Sequence, residues 1–111
     1  MQDDIESSVL QMEVLARIAR LLANSGLVLY RCRYDFIAFG SWTIEAGTPH
    51  HRLQLARDGK ERALRCATAR LHNAGAVPEW KELEVVSLDD FTGQADLENR
   101  VATIIRKHRG S

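Results

Sequence analysis

An Asp-Gly pair at positions 58 and 59 lies between two segments in which apolar and polar residues alternate. Alternation with a period of two is typical of β-strands, and Asp-Gly favours a two-residue type I′ turn because both central residues must adopt positive φ. We therefore predict a β-hairpin closed by Arg57 and Lys60. That register pairs Leu55 with Arg62, Leu53 with Leu64, His51 with Cys66, and Arg52 with Arg65.

A helix over residues 58–75 is the competing interpretation of the second half of this hairpin. Asp58 would be its N-cap and Glu61 the reciprocal residue of a capping box. The many Ala, Arg and Leu residues of this segment also favour a helix intrinsically. Gly59 would then occupy the first helical turn, and no connecting residue would separate the preceding strand from the cap. We adopt the hairpin on this ground and leave the helix as the alternative.

Residues 3–24 are predicted to form an amphipathic helix that ends at the Asn-Ser-Gly sequence of positions 24–26, because glycine favours a left-handed C-terminal cap. Its apolar surface is too broad for one sheet to cover. A second apolar row is formed by Leu10, Val14, Ile18 and Leu21. We expect this row to meet a second copy of the chain, since soluble monomers seldom expose so large an apolar patch.

The rest of the chain alternates as strands before a final helix. Strands are predicted at residues 27–39, 41–46, 52–57 and 60–70, with a loop at 47–49, and a helix at 94–107. A short strand around Val85, Val86 and Leu88, or simple packing of these residues on the core, is left open. The expected fold is therefore a single α+β domain over residues 1–111, with a four-stranded antiparallel meander whose one face is covered by the N-terminal and C-terminal helices.

Composition restricts the class of protein. The 111 residues suffice for one domain, and 45% hydrophobic with 27% charged residues is ordinary for a globular chain. The two cysteines and the lack of an N-terminal apolar run predict a cytoplasmic protein without disulfides. No apolar stretch reaches the roughly 20 residues that span a bilayer, so we expect no membrane association.

Charge is balanced overall but segregated along the chain. Arginines are frequent between positions 31 and 70, whereas residues 79–98 are mainly acidic. A basic strip could contact phosphates on the polar face of the sheet. It would comprise Arg31, Arg33, Arg52, Arg65 and Arg70. The zero net charge and the acidic segment argue against nucleic acid as a partner, and a solvated sheet face is the expected role of these arginines.

The common catalytic and metal-binding motifs do not occur in the sequence. Adjacent His50 and His51 would point to opposite faces of a strand, so they are not expected to bind one metal ion. His51 opposite Cys66 could in principle activate a thiol, but no orienting carboxylate is evident. We expect no catalytic residue, no metal site and no cofactor. If a small ligand binds, the candidate residues are His51, Cys66, Trp42 and Tyr30.

No motif is specific enough to assign a function. The favoured hypothesis is a small cytosolic interaction or regulatory protein without catalytic activity, which forms a homodimer or binds another protein. The alternative is a small-ligand-binding protein or enzyme with a pocket near His51 and Cys66. A concave pocket with convergent polar groups would favour the alternative.

Overall fold

The structure, a computed structural model, describes residues 2–35, 41–73 and 77–108. Two helices flank five strands in the order α1, β1 to β5, α2, with one turn of 3₁₀-helix before α2. The elements are α1 (Gln2–Asn24), β1 (Val28–Asp35), β2 (Ser41–Thr48), β3 (His51–Asp58), β4 (Ala63–Arg70), β5 (Lys81–Ser87), the 3₁₀ turn (Leu88–Asp90) and α2 (Gln94–His108). The α+β class is confirmed, but the sheet has five strands and not four.

Helix α1 ends as its sequence predicts. Gly26 has φ 84°, the left-handed conformation that an L side chain rarely adopts. The amide of Leu27 donates to the carbonyl of Leu22 at 3.2 Å, and the amide of Gly26 donates to that of Ala23 at 3.1 Å. These two hydrogen bonds form a Schellman motif, which satisfies the last carbonyls of the helix.

The second apolar row of α1 has a different role from the predicted one. Val14 and Ile18 are fully buried within the chain, where they share one core with Val101 and Ile104 of α2. Helix α2 therefore covers the middle of the row predicted to meet a second subunit, while Leu21 is partly buried and Leu10 stays exposed. The large apolar side chains exposed on the described part of α1, from residue 9 onward, are those of Val9, Leu10 and Met12.

The sheet is an antiparallel meander in which each strand pairs with the next, in the order β1-β2-β3-β4-β5. Side chains alternate between its faces, so one face supplies the core. Its buried members are Trp42, Ile44, Ala46, Leu53, Leu55, Leu64 and Cys66. Both helices join this same core, so the opposite face carries no helix within the described part of the chain.

The hairpin between β3 and β4 is confirmed, and the helical alternative is wrong, since β4 runs through Ala63–Arg70. The two-residue turn is also wrong. Asp58 pairs with Ala63 across a loop of residues 59–62, and Arg62 takes the left-handed conformation with φ 51°. The loop is fixed by the carboxylate of Asp58, which accepts a hydrogen bond from the amide of Glu61 at 3.0 Å.

The longer loop changes every pair of this hairpin. Leu55 lies opposite Cys66, Leu53 opposite Thr68, His51 opposite Arg70 and Arg52 opposite Ala69. The predicted pairing of His51 with Cys66 and that of Arg52 with Arg65 are therefore wrong. Because the register moved by an even number of residues, each side chain stays on its predicted face.

The other strand boundaries differ from the prediction in two places. β2 continues through Gly47 and Thr48, which were assigned to a loop, and β5 is a full strand paired with β4. The pairing of β5 with β4 shifts between Cys66 and Ala67, so β5 contains a bulge. The bulge interrupts the alternation of apolar and polar residues from which a strand is predicted. The predicted extension of β1 over residues 36–39 lies outside the described residues.

Candidate functional site

The four candidate ligand-binding residues do not form one site. Cys66 and Trp42 are buried in the core between the sheet and the helices. Tyr30 lies at the edge strand β1, and His51 lies at the first position of β3. The structure therefore separates the thiol from the imidazole that the predicted register placed opposite it.

Cys66 has the environment of a core residue. Its side chain is 1% exposed and lies on the same row as Leu55 and Glu84. Burial, together with the negative charge of Glu84, raises the pKa of the thiol to about 12. The thiol is therefore protonated at neutral pH, so it lacks the thiolate character of a nucleophilic cysteine.

Trp42 is the largest fully buried side chain. Its indole N–H finds no hydrogen-bond partner among the described residues. Trp42 is the second residue of β2 and lies on one cross-strand row with Tyr34, Arg57 and Leu64. This position gives it a packing role beneath α1 and α2, away from any open cavity that His51 lines.

Tyr30 belongs to a cluster on the face of the sheet without helices. The guanidinium carbon of Arg52 lies 3.5 Å from the centroid of the Tyr30 ring, a cation–π contact. Arg52 Nε lies 3.7 Å from a carboxylate oxygen of Glu45, and Arg52 also donates a hydrogen bond to the backbone carbonyl of Thr48. Arg52 is only 6% exposed, so the cluster is a built part of the sheet and not a solvated surface contact.

Sequence reasoning missed the Arg52 cluster because it depends on Gly47 of the intervening strand. Gly47 pairs with Val28 of β1 on one side and with Arg52 of β3 on the other. Since Gly47 has no side chain, the guanidinium of Arg52 can cross β2 and reach Tyr30. The sequence did contain a signal for this cluster: Gly47 lies inside a strand, and Arg52 follows it five residues later.

Strand β1 forms one edge of the sheet and is exposed for most of its length. Its first three residues are large and apolar, and they are 56%, 42% and 41% exposed: Val28, Leu29 and Tyr30. The exposed Arg31 and Arg33 follow. The pairing with β2 shifts between Leu29 and Arg31, so Tyr30 is the extra residue of a bulge.

His51 lines a cavity of about 420 Å³ at the end of strands β3 to β5, together with groups from other elements. The polar side chains that line it are His51, Thr68, Arg70, Glu79, Lys81 and His108. Lys81 pairs with Thr68, and His51 pairs with Arg70 in the sheet. His108, in the last turn of α2, brings the helix to the same cavity.

Positive charge is concentrated around His51. Burial lowers the pKa of His51 below its ordinary value of 6.5, and the charges of Arg70 and His108 lower it further. Glu84 lies beside the cavity, because its two oxygens lie 3.2 Å from Arg100 and 3.3 Å from Nε2 of His108. Glu79 is the carboxylate that lines the cavity itself.

The described residues contain no group of three or more His, Cys, Asp or Glu side chains arranged to hold a metal ion. Neither helix is long and apolar enough to cross a membrane.

Comparison of the chain with protein-family models, with curated proteins and with solved structures finds no match.

Proposed function

We propose that this protein is a non-catalytic binding protein whose edge strand β1 takes up an extended, acidic segment of a partner protein. The observation that carries the proposal is the exposure of β1, which combines apolar side chains with Arg31 and Arg33 at an edge that pairs with no further strand of the described residues. An edge strand presents backbone N–H and C=O groups with which an added strand can pair.

The charges of β1 favour an acidic partner. Arg31 and Arg33 are two residues apart, so they lie on one face and are spaced like alternate residues of a paired strand. Carboxylates at alternate positions of the incoming segment would lie opposite them. Such opposite-charge pairs contribute roughly 0.2–1 kcal/mol each. The exposed Val28 and Leu29 provide apolar contact beside them.

The same charges disfavour a second copy of the chain at this edge. If two β1 strands paired antiparallel around Cys32, Arg31 of each strand would lie opposite Arg33 of the other. Like charges in directly opposed positions destabilise a strand pair. The homodimer remains a prediction, but Val14 and Ile18 of the helix row on which it was based are buried within the chain.

Two observations favour binding over catalysis. Cys66 is buried and has a pKa of about 12, and its partner in β3 is Leu55 and not His51.

A reducing compartment such as the cytosol is part of the proposal. It is supported by the presence of only two cysteines in the sequence, too few for a disulfide framework.

The test uses two acetylated eight-residue peptides, one of alternating glutamate and valine and one of alternating lysine and valine. We expect the acidic peptide to shift the backbone amide resonances of β1 and to slow their hydrogen exchange. The double variant Arg31→Glu, Arg33→Glu should lose about tenfold in affinity for the acidic peptide and should gain affinity for the lysine peptide, because two charge pairs change sign.

A matched control carries the same change of net charge elsewhere. Arg20→Glu with Arg106→Glu alters exposed arginines of α1 and α2. It should leave the preference for the acidic peptide unchanged. Equal binding of both peptides by all three proteins would contradict the proposal, and so would protection of β1 that rises with protein concentration in the absence of peptide. The latter result would identify a second copy as the occupant.

A further inference from the structure

We propose that the cavity lined by His51, Arg70, Lys81 and His108 binds a small phosphate-bearing molecule. The cavity involves β3, β4, β5 and α2 but no residue of β1. This inference is therefore independent of the proposed strand-binding function, and the two can fail separately.

Donors from different elements converge on the cavity. Arg70 and His51 are directly paired at the end of β3 and β4, so their side chains leave the sheet on one face. Lys81 is contributed by β5 and His108 by the last turn of α2. Thr68, opposite Lys81, adds a hydroxyl group. An anion in the cavity would thus be surrounded by N–H and O–H donors on several sides.

The charge of the lining groups is positive in sum. Arg70 and Lys81 are permanent cations at neutral pH, and Glu79 is the single carboxylate among the described lining residues. Glu84 shares its two oxygens between Arg100 and His108, so its charge is divided between a cation outside the cavity and an imidazole that lines it. Protonation of His51 and His108 would add further positive charge.

Burial lowers the pKa of His51, and the nearby charges of Arg70 and His108 lower it further. A bound dianion would reverse this effect, since it favours the protonated form of a neighbouring imidazole. The carboxyl end of the α2 dipole opposes an anion at this place, but the partial charge is small beside two permanent cations.

Phosphate fits the arrangement better than a carboxylate does. β3, β4 and β5 place their donors on one face of the sheet, and α2, which packs on that face, adds His108 from the helix layer. This arrangement suits a tetrahedral group with several acceptor oxygens. A planar carboxylate places its acceptors in one plane. The volume of about 420 Å³ exceeds that of phosphate alone, and it falls in the range of small-molecule sites. We therefore expect a phosphate monoester of a small metabolite.

Calorimetric titration with inorganic phosphate, ribose 5-phosphate and malonate tests the class of ligand at constant ionic strength. We expect ribose 5-phosphate to bind more tightly than phosphate, and malonate to bind at least about tenfold more weakly than ribose 5-phosphate. Tighter binding of malonate than of both phosphates would overturn the assignment to phosphate. Absence of heat with all three, confirmed by unshifted His51 ring resonances, would overturn the site altogether.

Sulfate serves as the probe for pH dependence, because it stays a dianion throughout the range and any change reports on the protein. Sulfate binding should raise the pKa of His51, so its affinity should fall as pH rises through the titration of the histidines. If sulfate raises the pKa of His51 by one unit, the affinity for sulfate should fall by up to about tenfold between pH 5.5 and 8.0. Equal affinity at both pH values would contradict a role for His51.

Variants separate the cavity from general basicity. Arg70 is exposed, so Arg70→Ala should fold, and it should weaken ribose 5-phosphate binding by at least about tenfold, the loss of a charge-assisted hydrogen bond of about 1.5 kcal/mol. Arg70→Lys should retain part of the affinity. Arg106→Ala removes an exposed arginine of α2 that does not line the cavity, and it should bind like the unmodified protein. Equal losses for Arg70→Ala and Arg106→Ala would overturn the assignment.

Discussion

The guanidinium of Arg52 lies over the ring of Tyr30, 3.5 Å from its centroid, and so joins β3 to the edge strand β1 across β2. A carboxylate oxygen of Glu45, in β2, lies 3.7 Å from Nε of the same guanidinium. The three side chains hold the bulge of β1 against the neighbouring strands. They thereby fix the part of the edge that exposes Val28 and Leu29.

Replacement of Arg52 should therefore destabilise the sheet. Arg52→Ala leaves Glu45 without its cation and Tyr30 without its contact, and we expect a loss of about 2–3 kcal/mol in the free energy of unfolding. Arg52→Lys keeps the charge but not the planar, forked group, so its loss should be smaller. Urea denaturation measures both variants. A change below about 0.5 kcal/mol for Arg52→Ala would show that the cluster contributes nothing to the fold.

Gly47 is needed for the close approach of strands β2 and β3. A Cβ atom at this position would collide with the backbone carbonyl oxygen of His51 and would come within 3.0 Å of the Cα of Arg52. Gly47→Ala should therefore cost about 2 kcal/mol or more, since backbone atoms cannot move aside as a flexible side chain does.

The matched control for this change is Gly93→Ala. A Cβ atom at Gly93 would meet nothing within 4 Å. We expect this variant to lose less than about 1 kcal/mol, mostly through helix capping at the start of α2. Thermal unfolding of the two variants compares them directly. Equal losses of stability in Gly47→Ala and Gly93→Ala would mean that movement of the turn at residues 49–50 relieves the collision with the His51 carbonyl oxygen.

The two sides of α1 should respond differently to charge. Val14 is 1% exposed and lies between the helices and the sheet, whereas Met12 is 54% exposed. Val14→Glu buries a carboxyl group without a partner and should cost about 3 kcal/mol or more. Met12→Glu should change the free energy of unfolding by about 0.5 kcal/mol or less.

Sedimentation equilibrium of these variants addresses the original dimer hypothesis. If Val14 lies in the core of one chain, Val14→Glu lowers stability without changing the molecular mass of the folded protein. If the variant instead converted a stable dimer into a stable monomer, the row of Val14 and Ile18 would be a subunit interface, and its burial within one chain would be contradicted.

The features that the sequence predicted well are those with local causes. The end of α1 depends on Gly26 and its immediate neighbours, and the faces of β3 and β4 follow alternation, whereas the bulge at Tyr30 breaks it in β1. The register of β3 and β4 is different, because it depends on the loop between them. There the capping of Glu61 by Asp58, and the left-handed Arg62, replaced the expected Asp-Gly turn.

The candidate sites were predicted less well because they join distant parts of the chain. His108 and His51 meet at one cavity although 57 positions separate them, and neither belongs to a recognisable motif. Arg52 and Tyr30 meet only because Gly47 leaves space between them. No periodicity in one segment could indicate such contacts.

The two cysteines cannot form a disulfide within the folded chain, and this yields the final prediction. Cys32 and Cys66 lie on one row of the sheet with Ile44 and Leu55 between them. Three strand spacings of about 4.8 Å place them about 14 Å apart, twice the Cα separation that a disulfide allows. We therefore expect the melting temperature to be the same with and without reductant.

Thiol titration of the native protein checks the environments of the two cysteines. Ellman's reagent should modify the exposed Cys32 first and should reach Cys66 only on unfolding. Partial burial raises the pKa of Cys32 above its ordinary value of 9.0, so its rate of modification should still be increasing at pH 9. The variant Cys32→Ser should show no fast phase, and Cys66→Ala should retain it. Rapid modification of two thiols in the native protein would contradict the burial of Cys66 beneath α2 and with it the packing of the helices on this face of the sheet.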